Sequence, residues 1–342
     1  MNMKLIKRLP SKEEIRDLLP VSPESQNARA NKIDEIKSIF SGEDDRFLLV
    51  IGPCSADNED SVYEYIDRLA RLQEEVKERV LMIPRIYTNK PRTTGGGYKG
   101  MLHQPDPNKE PDMSEGIKAM RKLHIKALEN FHMPAADEML YPDNYSYLED
   151  ILGYIAIGAR SVENQQHRLT CSGVDIPVGM KNPTSGDCSV MLNAINAAQQ
   201  GHRFIYRGFD AESSGNPYAH GILRGAVDPY GKNVPNYHYE DLKFFSELYE
   251  KTEFANKAII IDTNHANSMK RYKEQPRIAK EILWSRKYDP LLKKMVKGLM
   301  IESYLVEGSQ DVSENTYGKS ITDPCLGWED TEKLVYHIAE NS

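Results

Sequence analysis

FLLVIGPC, residues 47 to 54, is the first of eight short apolar runs that decide the fold of this chain. Its leading part, FLLVIG, contains no polar side chain, so apolar and polar positions do not alternate. Continuous runs of this kind are typical of strands that are buried on both faces, as in a parallel sheet. The stretch therefore predicts a buried strand that ends at a glycine, a proline and a cysteine.

Seven similar runs follow through the rest of the chain. They are VLMIPRIY (80–87), MPAADEML (133–140), YIAIGAR (154–160), PVGMKN (177–182), HGILRGA (220–226), KAIIIDTNHA (257–266) and GLMIESYL (298–305). Amphipathic helical patterns lie between several of them, at 60–76, 114–131, 237–252 and 277–287. Eight strands with interleaved helices predict an α/β protein with a (β/α)8 TIM barrel, a fold of ~250 residues. An open doubly wound sheet is the alternative.

The first 45 residues differ from the rest in lacking these runs. The stretch SPESQNARANKIDEIKSIFSG predicts a capped helix, with Ser22 as the N-cap, Pro23 as the first helical residue and Gly42 as the stop. We therefore divide the chain into an N-terminal extension (1–45), expected to act as an oligomerisation or regulatory arm, and a catalytic barrel (46–342).

One segment interrupts the alternation of strands and helices. HRFIYRG (202–208), with the AESSGNPYAHG that follows shortly after, predicts an extra β-hairpin before the sixth strand.

Composition limits the classes of function. The chain has 342 residues, 39% hydrophobic content and a formal net charge of -7, which indicate a globular protein without the basic footprint of a nucleic-acid or membrane partner. It contains no apolar run of ~20 residues, and its N-terminus lacks the apolar core of a signal peptide. Four scattered cysteines without a CxxC pair indicate reduced thiols. We expect a cytoplasmic protein.

Long cations follow several of the predicted strands. Arg85, Arg160, Lys181 and Arg224 lie at or near the ends of strands two, four, five and six, and Lys90 and Arg92 come shortly after the second. In a barrel these ends converge on one mouth, where the cations would repel one another without an anion. Six cations match about two phosphates and one carboxylate, since a phosphate monoester carries ~1.5 to 2 negative charges. The alternative is that they are solvated strand ends.

A second set of residues has the chemistry of a metal site. Cys54, His265, Glu302 and Asp323 come from IGPCS, DTNHANS, MIESYL and SITDP, and the barrel would bring them to the same mouth. A thiolate, an imidazole and two carboxylates suit one divalent ion, among which Mn, Fe, Co and Zn are not distinguishable. Alternatively, the cysteine is a buried small residue, the histidine a hydrogen-bonded loop residue and the glutamate the partner of an arginine.

The glycine-rich loop KPRTTGGGYKG (90–100) uses residues that often bind phosphate. It is not a Walker A loop, because Lys99 is followed by Gly100 and a proline-rich stretch that cannot begin a helix. It also lacks the strand–turn–helix setting of a dinucleotide site. A nucleotide site is therefore not predicted here.

Nine motifs in order resemble type I 3-deoxy-D-arabino-heptulosonate 7-phosphate (DAHP) synthase, in the branch with an N-terminal extension. They are IGPCS, PRIYTNKPRTT, PAADE, IGARSVENQQHR, PVGMKNPTSGD, HGILRG, DTNHANS, IESYLVEGSQ and YGKSITDPCLGWEDT. The resemblance covers about residues 40 to 335. It implies a transferase that condenses phosphoenolpyruvate with D-erythrose 4-phosphate and releases phosphate, at the first step of the shikimate pathway to the aromatic amino acids.

The resemblance also implies roles for individual residues. Metal ligands fall on Cys54, His265, Glu302 and Asp323, and phosphoenolpyruvate contacts on Arg85, Lys90, Arg160, Lys181 and Arg224. Contacts to erythrose 4-phosphate fall on Pro91, Arg92, Thr93 and Asp323, and the catalytic group comprises Lys90, Cys54 and His265, with Lys90 as the proton donor. Glu138 lines the same pocket without an assigned role, and the general base for water stays unassigned.

Regulated members of the family bind an aromatic amino acid beside the hairpin, close to the arm of a partner subunit. Here Asp175 and Tyr206 stand where small hydroxyl residues are frequent in phenylalanine-sensitive members. We therefore name no effector, and loss of inhibition is one open outcome. The expected assembly is a homodimer or a homotetramer.

Two other functions remain as alternatives. A 3-deoxy-octulosonate 8-phosphate synthase would use arabinose 5-phosphate, but it carries a KANRSS-like stretch where this chain has KPRTT. A catalytically silent barrel that senses sugar phosphates or amino acids need not keep the metal and lysine residues. An ordinary aldolase is disfavoured because no lysine is placed as a Schiff-base nucleophile.

Overall fold

The computed structural model describes residues 2–92 and 95–342, and eight parallel strands form its centre. They are β1 (Phe47–Gly52), β2 (Val80–Pro84), β3 (Ala136–Glu138), β4 (Tyr154–Ile157), β5 (Val178–Lys181), β6 (Ala219–Leu223), β7 (Ile259–Asp262) and β8 (Val296–Glu302). Apart from β2 and β3, each strand pairs in parallel with the next, and β8 pairs with β1. A backbone bridge between Arg85 and Ala136 joins the two remaining edges. The sheet is therefore a TIM barrel and not the open sheet considered as the alternative.

Helices surround the barrel and form the N-terminal extension. They are α1 (Lys12–Leu18), α2 (Pro23–Ser41), α3 (Glu59–Val76), α4 (Met113–Phe131), α5 (Pro142–Tyr145), α6 (Gln165–Ser172), α7 (Cys188–Gln199), α8 (Tyr239–Glu250), α9 (Gln275–Tyr288), α10 (Pro290–Met295) and α11 (Trp328–Asn341). Short 3₁₀ turns cover Tyr272–Glu274 and Val312–Glu314. In the described part of the chain, no helix combines the length and the apolarity that a membrane crossing needs.

The four predicted helices are confirmed as α3, α4, α8 and α9, whereas the sequence analysis did not mark α6, α7 or α11. The predicted hairpin is confirmed by the antiparallel pair Arg203–Tyr206 and Phe209–Glu212. Two further pairs of short strands, at Ala226–Val227 with Asn233–Val234 and at Val306–Ser309 with Lys319–Ser320, were not predicted.

The barrel strands are buried on both faces, as their continuous apolar runs predict. In β1, Leu48 and Val50 belong to a cluster inside the barrel, while Leu49 and Ile51 pack against the surrounding helices. The hydroxyl of Tyr154 and the side chain of Ile222 fill the space beside Gly179. A Cβ at this position would collide with both. The interior is thus filled by side chains and is not a channel.

Helix α2 closes the end of the barrel where the strands begin, which we call the foot. Its cap is as predicted: the Ser22 side chain accepts from the N–H of Ser25, and Gly42 ends the helix with a φ of 87°. Its last turns place Ile36, Ile39 and Phe40 in the interior cluster, and the Phe40 ring lies 4.2 Å from that of His220. The helix therefore packs as part of the barrel core.

Candidate active site

The opposite end of the barrel, which we call the mouth, gathers the residues that follow the strands. Glu138, Lys181 and Glu302 are the last residues of β3, β5 and β8, and Arg85 and Arg224 directly follow β2 and β6. Because parallel strands end at the same edge, their side chains meet at one site.

Three of the four predicted metal ligands form one cluster. The sulfur of Cys54 and carboxylate oxygens of Glu302 and Asp323 all lie within 4.8 Å of one another. The fourth, His265, lies beside them, with its Nε2 atom 4.0 Å from Oε1 of Glu302. The close approach of β1 to β2 depends on Gly52, since a Cβ there would lie 2.7 Å from the carbonyl oxygen of Arg85.

Lys90 reaches into this cluster. Its amine donates hydrogen bonds to the sulfur of Cys54 at 2.7 Å and to Oδ2 of Asp323 at 3.1 Å. Burial opposes the charge of the lysine, but Cys54, Asp323 and Glu302 outweigh that cost and raise its pKa. Burial and the neighbouring Glu302 raise the pKa of the Cys54 thiol to about 11, against the opposing effect of Lys90. The lysine is thus held in its charged form beside the thiol.

The donor set fits a divalent transition ion. A thiol, an imidazole and two carboxylates are grouped at the bottom of a cleft, where Cys54 and Glu302 are almost fully buried. Sulfur and nitrogen donors beside hard oxygens suit Mn, Fe, Co or Zn, and not a calcium site built from oxygen alone.

Arg85 is buried without enough partners for its guanidinium group. Its Nη2 atom donates to Oε1 of Glu302 at 3.1 Å, and the group lies 4.0 Å from the centre of the Tyr87 ring. Within the described residues its Nε and Nη1 atoms are buried with no hydrogen-bond partner, as is Nη1 of Arg224. Unsatisfied buried guanidinium atoms are costly, so their presence indicates a ligand that accepts from them.

Asp262, the last residue of β7, lies between two of the predicted site residues. It accepts a hydrogen bond from the amine of Lys181 at 3.1 Å, and its Oδ2 atom lies 2.8 Å from Nδ1 of His265. Burial alone would raise the pKa of Asp262, but His265 and Lys181 lower it well below its usual range. The carboxylate therefore stays charged and holds the amine of Lys181, whereas its contact with His265 is a close approach without the geometry of a hydrogen bond.

Above these groups lies a cleft of about 310 Å³. Its charged lining comprises six cations and two carboxylates: Lys90, Arg92, Arg160, Lys181, Arg224 and Lys270, with Glu138 and Asp323. The lining also includes Pro91 and His265. Arg85, Cys54 and Glu302 are not part of the lining and lie beneath it, so the predicted site has a cationic wall over a buried donor cluster.

The KPRT stretch lies on one side of the cleft. The backbone N–H of Lys90 donates to the carbonyl of Lys99 at 3.0 Å, and Nε of Arg92 donates to the carbonyl of Tyr98 at 2.8 Å. These contacts fold the loop back on itself and leave the end of the Arg92 guanidinium at the cleft. Thr93, the remaining predicted residue of this stretch, lies outside the described residues.

Two residues of the site were missed by the sequence analysis. Asp262 is the polar last residue of the apolar run KAIIIDTNHA, and that position was the available signal. Lys270 donates to Oδ1 of Asp323 at 2.9 Å, but nothing in its sequence setting distinguishes it from a surface lysine.

A second cavity, of about 410 Å³, lies beneath the hairpin. Its aromatic lining comes from Tyr145, Phe204 and Tyr206, and its charged lining includes Arg16 and Asp175. The two residues that the sequence analysis singled out as unusual therefore lie in the same cavity, beside helix α1 of the extension.

Comparisons with known proteins give one consistent result. Residues 20–336 match the family model described as the DAHP synthetase I family. The phenylalanine-inhibited phospho-2-dehydro-3-deoxyheptonate aldolase of Saccharomyces cerevisiae is 37% identical, covering 94% of this chain and 88% of that protein. The Tyr-sensitive enzyme of the same name from Escherichia coli is 36% identical, covering 97% of this chain and 93% of that protein. A solved structure of the aldolase of that name from Francisella tularensis superposes with a TM-score of 0.92 at 31% identity, covering 99% of this chain and 98% of that chain.

Proposed function

The chain belongs to the DAHP synthetase I family, and from this premise we propose the role of each site residue in the reaction. It is a transferase, a 3-deoxy-7-phosphoheptulonate synthase. It condenses phosphoenolpyruvate with D-erythrose 4-phosphate and water to give DAHP and inorganic phosphate, the first step of aromatic amino acid biosynthesis. The alternative sugar, arabinose 5-phosphate, is not favoured by these relatives.

Cys54, His265, Glu302 and Asp323 would hold one divalent ion, which as a Lewis acid would draw electron density from the aldehyde oxygen of the sugar phosphate. The proposal is supported by the mixed donor set and by Asp262, which lies 2.8 Å from Nδ1 of His265. The Nε2 atom of the same ring lies 4.0 Å from Oε1 of Glu302 and is the nitrogen placed to bind the ion.

Phosphoenolpyruvate would occupy the deeper part of the cleft. Its phosphate and carboxylate need several cations, and Arg85, Arg160, Lys181 and Arg224 supply them. Guanidinium atoms of Arg85 and Arg224 are buried without a partner among the described residues, and they support this assignment because charged acceptors would satisfy them. These two arginines are the observation that carries the residue-level proposal.

Erythrose 4-phosphate would lie toward the KPRT stretch. Arg92 and Pro91 line the cleft on that side, and Thr93 belongs to the same motif. Asp323 lies between Lys90 and Lys270, which neutralise it and leave it as an acceptor for a sugar hydroxyl.

The proposed sequence of bond changes begins with attack of C3 of phosphoenolpyruvate on the aldehyde carbon of the sugar. Lys90, whose amine is charged beside Cys54 and Asp323, donates a proton to the oxygen that becomes the new hydroxyl. Water then adds to C2, and the resulting hemiketal phosphate loses phosphate by cleavage of its C2–O bond. The cationic wall holds both substrates within reach, an advantage worth ~7–11 kcal/mol in well-oriented systems.

An assay of phosphoenolpyruvate consumption tests this proposal. The purified chain should consume it with erythrose 4-phosphate but not with arabinose 5-phosphate, lose activity after chelation, and regain it when a divalent ion is added. Activity with neither sugar would refute the function, whereas full activity in metal-free protein would refute only the metal site.

We also propose that the cavity beneath the hairpin binds an aromatic amino acid. Two relatives are described as phenylalanine-inhibited and Tyr-sensitive. Tyr145, Phe204 and Tyr206 could contact an aromatic ring, while Arg16 and Asp175 could pair with its carboxylate and ammonium groups. Inhibition assays with phenylalanine, tyrosine and tryptophan should identify one inhibitor whose effect Asp175→Ala weakens. Insensitivity to all three would contradict this site.

Exposed apolar groups on the hairpin and the arm support a homodimer or homotetramer. Ile205 and Phe209 at the hairpin are 84% and 74% exposed, and Leu5 and Ile6 of the arm are more exposed still. Burying them against another subunit would recover the hydrophobic free energy that exposure loses. Sedimentation velocity should report an oligomer that Ile205→Asp and Phe209→Asp weaken, and a monomeric wild type would exclude the assembly.

A further inference from the structure

A second cationic cavity lies at the foot of the barrel, on the side away from the active site. Its volume is about 720 Å³. It is bounded by the end of α2, the starts of four barrel strands, the loop between α8 and β7, and helices α9 and α10. We call it the foot cavity.

Four cations of this cavity precede or begin neighbouring strands. Arg46 and Arg79 come directly before β1 and β2, Lys257 lies two residues before β7, and Lys297 is the second residue of β8. In the sheet these strands are adjacent, in the order β2, β1, β8, β7. Their starts therefore form one arc at the foot, as the strand ends do at the mouth.

The cavity carries a clear excess of positive charge in a chain whose net charge is -7. Seven lining residues are cations, namely Arg46, Arg79, Lys257, Arg286, Lys293, Lys294 and Lys297. Three are acidic, namely Asp44, Asp45 and Glu250. Two of the acids are already paired, Asp44 with Arg46 at 2.6 Å and Glu250 with Lys294 at 3.4 Å.

Arg286 is the most deeply placed of these cations. It is only 7% exposed, its guanidinium lies 4.4 Å from the centre of the Phe47 ring, and its Nε atom is buried with no hydrogen-bond partner within the described residues. In the same part of the chain, neither Arg286 nor the half-buried Lys297 forms a salt bridge. Burial lowers the pKa of Arg286 to about 10. Burial and then the charge of Arg286 lower the pKa of Lys297, against the weaker opposing effect of Asp45.

We propose that the foot cavity binds a phosphate-bearing anion, either inorganic phosphate or a phosphomonoester, independently of the active site. A phosphate carries ~1.5 to 2 negative charges and can accept two parallel hydrogen bonds from one guanidinium group. Arg286, which forms no salt bridge within the described residues, lies beside Lys297 and could donate them. Phe254 and Pro290 line the same cavity and leave apolar surface for the organic part of a monoester. The volume is within the ~300–1,000 Å³ that small-molecule sites span.

Calorimetric titration of the metal-loaded, full-length protein with inorganic phosphate tests the proposal. Because phosphate is also a product of the reaction, the wild type should show one binding event at the mouth and a second at the foot. Lys297→Met should weaken the second event by about tenfold or more, since it removes a charge that contacts the anion. Lys280→Met removes a charge from the exposed side of α9 and should leave both events unchanged.

Steady-state kinetics distinguishes effects at the foot cavity from effects at the active site. The KM for phosphoenolpyruvate should be the same in the wild type, in Lys297→Met and in Lys280→Met, because none of these changes is near the mouth. Arg286→Met should also lose the second binding event. If Arg286→Met does not fold, the result for Lys297→Met alone tests the proposal.

Repeating the titration with glycerol 3-phosphate distinguishes the two sources of the anion. Tighter binding of the monoester at the foot would assign a phosphorylated metabolite, and binding of inorganic phosphate alone would assign the free ion. A wild type with a single binding event, or a second event that Lys297→Met leaves intact, would overturn the proposal.

Discussion

The amine nitrogen of Lys90 lies 2.7 Å from the sulfur of Cys54. The lysine comes from the loop after β2 and the cysteine from the loop after β1, so the contact joins neighbouring strands of the barrel. A charged amine at this distance can donate a proton, whereas a thiol among carboxylates can bind a metal. The two residues should therefore fail in different ways when they are replaced.

We expect Lys90→Met to lower kcat by about 100-fold to 10,000-fold, the usual range for loss of a proton donor. Cys54→Ala should instead lose the metal, because it removes the sulfur donor from the cluster. Metal content after dialysis against a weak chelator separates the two outcomes: it should stay high in the lysine variant and fall in the cysteine variant. Equal metal loss in both would show that Lys90 acts through the metal site.

Arg92→Ala should raise the KM for erythrose 4-phosphate by roughly tenfold or more and change the KM for phosphoenolpyruvate much less. The reason is that its guanidinium lies at the outer side of the cleft, while the deeper cations remain. Initial rates with each substrate varied in turn measure both constants. Lys99→Ala removes an exposed cation from the same loop and serves as the control. A larger effect on phosphoenolpyruvate would reverse the assignment of the two substrates.

Asp262→Asn should destabilise the fold by about 3–5 kcal/mol, since it leaves the buried Lys181 without its charged partner. Urea denaturation measures the loss. Asp210→Asn breaks an exposed pair with Arg203 and should lower the free energy of unfolding far less, because water and salt screen exposed charges. Saturating phosphoenolpyruvate should restore part of the stability of Asp262→Asn by supplying negative charge. Equal effects of the two substitutions would contradict the buried pairing.

His220 should make the fold less stable in acid. Its Nδ1–H donates to the carbonyl of Tyr218 at 2.8 Å, so its Nε2 accepts from the hydroxyl of Tyr154 at 2.7 Å, and the ring is neutral. Burial lowers its pKa to about 4, whereas in the unfolded chain it is ~6.5. The unfolded state therefore takes up a proton first, and stability is complete above pH ~6.5 and declines by about 3 kcal/mol as the pH falls to ~4.

Urea denaturation of the wild type and of His220→Gln between pH 4 and pH 7 tests this linkage. The variant should start less stable and lose less stability as the pH falls, because glutamine does not titrate. Parallel pH profiles would show that other groups set the acid sensitivity.

Phe40→Ala should lower the free energy of unfolding by about 3–5 kcal/mol, because it empties a site inside the barrel that is only 3% exposed. The KM values should change little, since the residue lies at the foot and the substrates bind at the mouth. Phe244→Ala, at an exposed position of α8, should be near neutral. Similar unfolding midpoints for the two variants would mean that α2 is not part of the core.

Much of the fold could be predicted because its strands are buried on both faces and their apolar runs are uninterrupted. The three-residue strand β3 was found within MPAADEML because its neighbours are apolar as well. Helix α6 was missed because its short, amide- and hydroxyl-rich sequence gives little periodicity, whereas α7 has Met191, Ala194, Ile195 and Ala198 on one buried face, a signal that was available. In helix α11, Thr331, Leu334, Val335 and Ile338 likewise give a clear buried face, and that signal was available.

The candidate site was predictable to the extent that it follows strand ends. Lys181 and Glu302 could be placed from the apolar runs that precede them, whereas the contact of Lys90 with Cys54 depends on a loop conformation that no local pattern encodes. Lys270 and the foot cavity depend on which elements become neighbours when the barrel closes. Contacts between side chains that become neighbours only when the barrel closes leave no local pattern in the sequence, so they could not be predicted from it.

The position of α2 bears on how N-terminal extensions could be exchanged between family members. Ile36, Ile39 and Phe40 of α2 complete the barrel interior. A chimera joined at residue 46 would therefore combine the barrel of one protein with the α2 helix of another. A junction in the loop between α1 and α2 would transplant α1 and the residues before it, and would keep α2 and the barrel from the same parent. The transplanted α1 would still have to match the new barrel, since its Ile15 is buried in the hydrophobic core and its Arg16 pairs with Glu149.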